Sequence, residues 1–149
     1  MKKRLLAIAS GGGHWQQLML MRPAFEGAEV TYATTLKGLP EAFGALPAVI
    51  VPDANRDRKW AIIGAGIAIC WLVIRMRPHI VISTGALPGV IALALARFMG
   101  ARTIWVDSVA NAEEMSMSGR LARRFAIHWF SQWSHVADAE GAEFIGSVL

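Results

Sequence analysis

Short runs of aliphatic residues alternate with longer segments of helical spacing along this chain of 149 residues. Predicted strands cover residues 4–9, 29–33, 48–51, 79–82 and 102–106, with an extended segment near 127–131. Predicted helices cover residues 14–25, 60–74 and 88–98, a short basic helix starts at Ser118, and residues 34–47 form a loop with room for one helical turn. This alternation is typical of βαβ units, so we expect one doubly wound, mostly parallel Rossmann-like α/β domain over residues 1–149.

Two glycine-rich loops follow predicted strands and resemble the turns that bind anionic groups. They contain Gly11, Gly12 and Gly13 after the first strand, and Ser83, Thr84 and Gly85 after the fourth. Glycine lets the backbone approach a ligand closely, and the helix that follows offers unpaired N–H groups. Both loops should line one crevice at the carboxyl ends of the strands, so we predict a phosphate-bearing ligand. The alternative is that the glycines serve only the tight turn from strand to helix.

Three side-chain types near these loops are candidates for chemistry. His14 falls in the first turn of a helix, where an imidazole can accept a proton, although a single histidine can also be purely structural. The hydroxyls of Ser83 and Thr84 can donate to phosphate or cap the next helix. Asp107 directly follows a strand, where it either faces the crevice or closes a turn.

Several other ligand classes are disfavoured by the motifs. Gln16 stands where a dinucleotide-binding loop has its third glycine, and no G-x-x-x-x-G-K-[ST] sequence is present. The sequence offers no carboxylate pair, no Ser-His-Asp set and no metal-ligand cluster, so we expect neither a metal nor a cofactor. We therefore do not expect this chain to catalyse a reaction on its own.

The segment 60–74 contains fifteen residues without a polar side chain. As a helix it would be about 22 Å long, short of the roughly 30 Å of a bilayer core. Trp60 and Trp71, with Lys59 and Arg75 at the ends, are typical of a helix lying at a membrane interface. The alternatives are a central core helix and a helix that crosses the membrane.

Composition agrees with a surface covered by lipid or by a partner. Hydrophobic residues make up 54% of the chain and charged residues only 17%, against about 25% in typical soluble domains. The net charge is +4, and the basic residues flank apolar segments without any nucleic-acid-binding module, which favours an anionic membrane surface over plain solvated charge or nucleic acid. These basic groups are Lys2-Lys3-Arg4, Arg56-Asp57-Arg58-Lys59, Arg75 with Arg77, and Arg120 with Arg123-Arg124.

The single cysteine, Cys70, excludes an intramolecular disulfide and fits a reducing compartment. The basic N-terminus is followed by only five apolar residues, too few for a signal peptide, so a first strand is the better interpretation.

Five segments, taken in order, resemble a known family of glycosyltransferase subunits. Residues 10–18 are similar to its S-G-G-H loop, 77–85 to R-P-D-x-V-I-S-T-G, 104–108 with 116–120 to a strand-E-S loop and S-L-S-G-K, 130–133 to V-Q-W, and 144–147 to Y-x-G-S. The family comprises the PssD-type acceptor-side subunits of two-chain GT-B glycosyltransferases and their eukaryotic dolichol-pathway Alg-type relatives. They serve exopolysaccharide and lipid-linked oligosaccharide biosynthesis.

The resemblance implies the N-terminal, acceptor-side half of a GT-B enzyme. A catalytic partner chain would bind the UDP-sugar, and this chain would hold a polyprenyl-pyrophosphate-linked saccharide at the cytoplasmic face of the membrane. His14 would lie beside the acceptor hydroxyl as base or orienting group. The acceptor site would comprise Gly11, Gly12, Gly13, Ser83, Thr84, Gly85, Asp107, Ser108 and Ser118, and the partner would dock on Gln132, Trp133, Gly146 and Ser147.

Three positions depart from the family pattern: Asp107 replaces Glu, Asn111 stands about where an Arg is usual, and His79 replaces Asp. A length of 149 residues leaves no room for a second domain to hold a nucleotide-sugar. Two other functions stay open. One is a non-enzymatic membrane scaffold for the transferase, and the other is a soluble nucleotide-binding domain.

Overall fold

Six short strands form one parallel sheet in a computed structural model that describes residues 1–54 and 58–148. The strands are β1 (Arg4–Ile8), β2 (Glu29–Thr34), β3 (Ala48–Ile50), β4 (Ile80–Ser83), β5 (Arg102–Val106) and β6 (His128–Phe130). Their order in the sheet is β3-β2-β1-β4-β5-β6, and every pairing is parallel. The chain runs outward from β1 to β3 and then crosses back to β4 on the other side of β1. This topology confirms the predicted doubly wound α/β fold.

Helices connect the strands on both sides of the sheet. They are α1 (Gly13–Leu20), a 3-10 turn (Arg22–Phe25), α2 (Leu39–Ala42), α3 (Lys59–Met76), α4 (Ala86–Phe98), α5 (Met117–Ala122) and α6 (Ser134–Glu140). Part of the basic group predicted around residue 57, Arg56 and Asp57, lies outside the described residues.

Two hydrophobic cores form because the strands are apolar on both faces. Leu6 and Ile8 of β1 belong to the core beneath α3 and α4, whereas Leu5 and Ala7 belong to the core beneath α1. Strands buried on both faces consist of nearly continuous aliphatic runs, which is the pattern that the sequence shows.

The helix boundaries differ from the predictions in four places. The helix expected over 14–25 stops at Leu20 and continues as a 3-10 turn, because Pro23 has no N–H to donate and disfavours helical geometry in the residue before it. α3 extends beyond the predicted 60–74 at both ends. α4 begins at Ala86, two residues before the predicted start at Pro88, so Pro88 lies in the first turn, where proline is tolerated. The fourth difference is α6, which the sequence analysis treated as part of the tail; Gly141 ends it in the left-handed conformation.

Candidate functional site

The crevice of the fold lies where the glycine loops leave the neighbouring strands β1 and β4. Successive strands are added on one side of β1 up to β3 and on its other side from β4 onward, and open α/β sheets place their ligands at this switch point in the strand order. α1 has Gly12 as its N-cap residue and α4 has Gly85, and neither cap contributes a side-chain hydrogen bond. The backbone N–H groups of both first turns therefore lack the usual side-chain partner, which leaves donors for an anion at this end of the sheet.

His14 joins the two loops. Its Nδ1 lies 3.1 Å from the carbonyl oxygen of Thr84, and the Thr84 hydroxyl donates to the carbonyl oxygen of His14 over 2.6 Å. A carbonyl oxygen only accepts, so in the neutral imidazole the hydrogen lies on Nδ1. Nε2 then carries the lone pair. Among the described residues, no donor makes a hydrogen bond to this nitrogen.

Gly85 is required by this arrangement. A Cβ atom added to Gly85 would lie 2.6 Å from Cγ of the His14 ring, which is far inside van der Waals contact. Its φ of 157° also lies in a region that side chains rarely adopt. The absence of a side chain at Gly85 is thus what lets the imidazole pack against the second loop.

Ser83 and Thr84 are fully buried. The Ser83 hydroxyl accepts the Gly85 N–H at 3.3 Å, and Gly89 lies so close that a Cβ there would stand 2.7 Å from the Ser83 Cβ. These contacts fit a role in shaping the loop better than direct contact with phosphate. What the second loop offers to a ligand is chiefly its backbone.

Asp107 is a buried carboxylate that organises the loop after β5. Its Oδ1 accepts hydrogen bonds from Trp105 Nε1 (3.1 Å) and Ser116 Oγ (2.5 Å). Its Oδ2 accepts from Asn111 Nδ2 (2.9 Å) and the Ser116 N–H (2.8 Å). Asn111, one of the departures from the family pattern, is therefore a partner of another, Asp107. The carboxylate shapes the loop after β5 from inside.

Two glutamines fix the backbone of this loop. Gln17 Nε2 donates to the Asp107 carbonyl oxygen at 3.1 Å, and Gln17 Oε1 accepts the Val109 N–H at 3.0 Å. Gln132 Nε2 reaches the same Asp107 carbonyl at 3.0 Å. Gln17 was not among the predicted site residues. The sequence feature that could have revealed Gln17 is a polar side chain on the apolar face of α1, one turn after His14.

The remaining predicted acceptor residues lie along the same loop and α5. Ser108 accepts the Ala110 N–H at 3.2 Å, and Ser118 is buried in α5. The structure thus brings His14, the two glycine loops and the Asp107 loop to one end of the sheet.

The predicted partner-docking residues lie in the C-terminal tail or just after β6, and one of them, Gln132, holds the tail in place. Gln132 is buried, and its Oε1 accepts the Val148 N–H (2.9 Å) and the Ser147 hydroxyl (3.3 Å). Trp133 Nε1 donates to the Val109 carbonyl oxygen at 2.7 Å. Gly146 has a φ of 118° in the same tail, next to the exposed Ile145.

An apolar groove of about 310 Å³ lies beside this tail. It is lined by Ile82, Ile104 and Val106 of the sheet and by Phe130 and Ile145. It occupies the face of the sheet that α1 leaves open.

α3 presents an apolar stripe to the outside. Trp60 is 84% exposed and Trp71 61%, and the other members of the stripe are Ile63, Ile67 and Ile74. The helix has 18 residues with a mean hydropathy of 1.6, so by length and composition alone it could cross a membrane. Only 22% of it is buried in the protein, unlike a central core helix. Its inner face packs on the sheet through Ile69 and Val73. On the outer face, the Arg75 Cζ atom lies 5.3 Å from the centroid of the Trp71 ring, a cation–π contact.

No group of three or more His, Cys, Asp or Glu side chains that could hold a metal ion occurs within residues 1–54 and 58–148.

Comparison with known sequences identifies the family. The family model described as "Oligosaccharide biosynthesis protein Alg14 like" matches residues 56–148, more than half of the chain. The chain belongs to this Alg14-like family. A curated relative, the "UDP-N-acetylglucosamine transferase subunit ALG14" of Eremothecium gossypii, is 26% identical over 148 residues. That match covers 95% of this chain and 57% of the relative, so the chain spans little more than half the relative's length.

Solved structures share the fold of this Alg14-like chain. MurG of Acinetobacter baumannii superposes with a TM-score of 0.76 at 14% identity, over 97% of this chain and 45% of MurG. The UDP-GlcNAc 2-epimerase of Methanocaldococcus jannaschii gives a TM-score of 0.67 at 13% identity, over 96% of this chain and 45% of the epimerase. At such low identity these likenesses establish the fold alone.

Proposed function

We propose that this protein is the acceptor-binding and partner-recruiting subunit of a two-chain glycosyltransferase. The complex would move a sugar from a UDP-sugar to a polyprenyl-pyrophosphate-linked saccharide in oligosaccharide or polysaccharide biosynthesis. The observation that carries the proposal is the membership of the Alg14-like family, whose curated relative is named as a transferase subunit. The crevice between the two glycine loops supplies a location for the acceptor.

The acceptor pyrophosphate would lie over the two glycine loops. The first turns of α1 and α4 both begin there without a side-chain cap, and the positive ends of two helix dipoles favour a negative ligand. In this arrangement Gly11, Gly12 and Gly13 border the pyrophosphate on one side, with the N–H groups of Gly12 and Gly13 as donors, and Gly85 with the first turn of α4 borders it on the other. The N–H groups of Gly11 and Gly85 already donate to Thr35 Oγ1 (3.4 Å) and Ser83 Oγ (3.3 Å).

His14 is the proposed base. Because its Nδ1 is engaged by the Thr84 carbonyl, Nε2 is the nitrogen left to accept the proton of the acceptor hydroxyl. As that oxygen bonds to the anomeric carbon of the donor, the bond from this carbon to the phosphate oxygen breaks and UDP leaves with the electron pair. The His14–Thr84 contacts would hold the ring in place for this step.

The partner would dock beside the C-terminal tail. The apolar groove there is continuous with the tail that Gln132 holds in position. An apolar segment of the catalytic chain would cover the groove, which brings the donor site across the crevice from His14. Trp133 and Gln132 act from within by fixing the loop and tail that the partner contacts.

The complex would lie on the cytoplasmic face of the membrane. The exposed stripe of α3 fits the lipid interface, with Trp60 and Trp71 as interfacial aromatic anchors. Because the opposite side of α3 is packed on the sheet, the helix would lie in the plane of the interface rather than cross the bilayer.

A second function, a non-enzymatic scaffold, is favoured by one observation. The side chains of Ser83, Thr84 and Asp107 are all buried and engaged inside the protein, which leaves His14 as the main side-chain candidate for catalysis. A scaffold would need the groove and α3 but not the glycine loops.

Binding of the acceptor separates the two functions. The full chain in detergent micelles would be titrated with a polyprenyl-pyrophosphate-GlcNAc analogue, with polyprenol as a control that lacks the pyrophosphate. We expect saturable binding of the first only, weakened by Gly85→Ala. Equal binding of both lipids, unaffected by the substitution, would favour the scaffold.

A further inference from the structure

A second cavity, of about 670 Å³, lies at the amino ends of the strands. Lys3 precedes β1, His79 precedes β4 and Arg102 begins β5, while Arg77 follows the end of α3. All four line this cavity, together with Met99. Because the strands are parallel and about five residues long, the cavity is roughly 15 Å from the crevice, at the opposite edge of the sheet.

The cations of this groove lack acidic partners. Among the residues that the structure describes, the ion pairs are those of Arg120 with Glu114 and Glu140, and of His128 with Glu143. Lys3, Arg77 and Arg102 therefore carry unpaired charge. Glu29 starts β2 and donates its backbone N–H to the Lys3 carbonyl oxygen at 2.8 Å, but it does not line the groove. Three unpaired cations around one concavity attract an anion.

The last carbonyl groups of α3 are paired with Arg4 and not with the side chains of the groove cations. Arg4 donates from Nε to the Met76 carbonyl oxygen (3.0 Å) and from Nη2 to the Arg77 carbonyl oxygen (2.8 Å). This guanidinium compensates the negative end of the helix. The side chains of Lys3, Arg77 and Arg102 remain for a ligand.

His79 adds an oriented donor. Its Nδ1 accepts the backbone N–H of Arg4 at 3.0 Å, so the ring hydrogen lies on Nε2. The Asp found here in the R-P-D pattern could accept the same N–H but would place a negative charge in the groove. With His79, this chain keeps the support for Arg4 and leaves the groove cationic.

Exposed apolar residues lie next to the groove along the chain. Phe98, at the end of α4, is 85% exposed, and Met99 beside it lines the cavity. Arg77 directly follows α3, whose exposed stripe ends in Trp71 and Ile74. Cations next to exposed apolar side chains match the chemistry of a membrane surface, where phosphates lie above the acyl chains.

We propose that this groove binds a phosphate group, carried either by an anionic lipid headgroup or by a soluble phosphate ester. Lys3, Arg77 and Arg102 would neutralise the phosphate, and His79 Nε2 would donate to one of its oxygens. The site is separate from the crevice and does not depend on the transferase function.

The test uses the full chain and two probes. Vesicles of phosphatidylcholine with and without phosphatidylglycerol measure the lipid source, and calorimetric titration with glycerol phosphate measures the soluble source. The double variant Lys3→Gln/Arg102→Gln removes two charges. The variant Lys37→Gln/Arg124→Gln removes the same charge from exposed positions that do not line the groove.

We expect the groove variant to weaken binding of at least one probe about tenfold, and the control variant to have a much smaller effect. Loss only with phosphatidylglycerol vesicles identifies a lipid headgroup, and loss with glycerol phosphate identifies a soluble ester. His79→Asp should act in the same direction while keeping the Arg4 contact, and it carries the test if the double variant fails to fold. Equal losses in groove and control variants, or no loss with either probe, would overturn the site.

Discussion

The imidazole of His14 packs directly against Gly85, so that the first turn of α1 rests on the loop that begins α4. The contact is paired with the exchange of hydrogen bonds between His14 and Thr84. It joins the loops of β1 and β4 at the position where the order of strands in the sheet switches from one side of β1 to the other. One interaction therefore sets both the shape of the crevice and the direction of the imidazole.

Replacing Gly85 by alanine should displace the imidazole. The added Cβ would overlap the ring, and a displacement of about 1 Å in a positioned catalytic group can cost roughly 100-fold in rate. We expect a loss of this order in sugar transfer by the complex with its partner. Gly66→Ala is the matched control, because a Cβ at Gly66 meets nothing within 4 Å.

Combining Gly85→Ala with His14→Ala in one variant tests whether Gly85 acts through His14. His14→Ala alone should reduce transfer and leave membrane association intact. If the two residues act together, Gly85→Ala should cost little more in a His14→Ala background. Additive losses would mean that Gly85 serves the crevice independently of His14, and unchanged transfer by His14→Ala would exclude it from the mechanism.

Asp107→Asn should destabilise the fold. The amide replaces one carboxylate oxygen by a donor and leaves Ser116 or Trp105 facing it without an acceptor. Such a buried mismatch costs about 1–3 kcal/mol, measurable as a lower free energy of unfolding in urea. Asp138→Asn, at an exposed position, should change it by less than about 0.5 kcal/mol. Equal effects of the two would show that the Asp107 network contributes little.

Ile67→Glu should weaken binding to membranes. Ile67 lies in the middle of the exposed stripe of α3, and losing the burial of one such side chain lowers partitioning roughly tenfold. Cosedimentation with vesicles measures the effect. Leu121→Glu, which changes an exposed apolar residue on α5, is the control. Similar losses for both would indicate that hydrophobicity in general, not the α3 stripe, drives binding.

The contact between α5 and α6 should depend on pH. Arg120 donates to Glu140 Oε1 at 2.6 Å, and this hydrogen bond, aided by charge attraction, lowers the pKa of Glu140 despite partial burial. A carboxyl with a lowered folded pKa stabilises the protein above its unfolded pKa of about 4.3, and the stabilisation is lost as pH falls through the folded pKa.

Arg120→Gln should therefore raise the pKa of Glu140 towards its ordinary value and flatten the loss of stability in acid. NMR titration of the Glu140 side-chain carboxyl carbon measures the shift, with the exposed Glu26 as an internal reference. An unchanged pKa of Glu140 in the variant would show that Arg120 is not its cause.

The sequence predicted the sheet well because its evidence was local. β1 and β4 are short, mostly aliphatic runs, and each glycine loop follows one of them directly. α6 was missed because its residues 134–140 have weak hydrophobic periodicity and sit in a segment interpreted as a tail. The 3-10 turn depends on Pro23, whose effect on the preceding helix was not weighed.

The site was predicted as a set of residues but not as a set of contacts. The position of His14 after three glycines was visible in the sequence. Its contact with Gly85, and the hydrogen bonds from Gln17 to the Asp107 loop, join residues about 70 and 90 positions apart. Such contacts are set by the order of strands in the sheet, which a single sequence does not state.

The most direct test of the proposed function is a transfer assay with three arms. Labelled UDP-GlcNAc and a polyprenyl-pyrophosphate-sugar acceptor would be supplied to this chain alone, to its partner alone and to both together. We predict product only when both chains are present. Full activity from the partner alone would contradict an acceptor-binding role, and activity from this chain alone would contradict the need for a second chain.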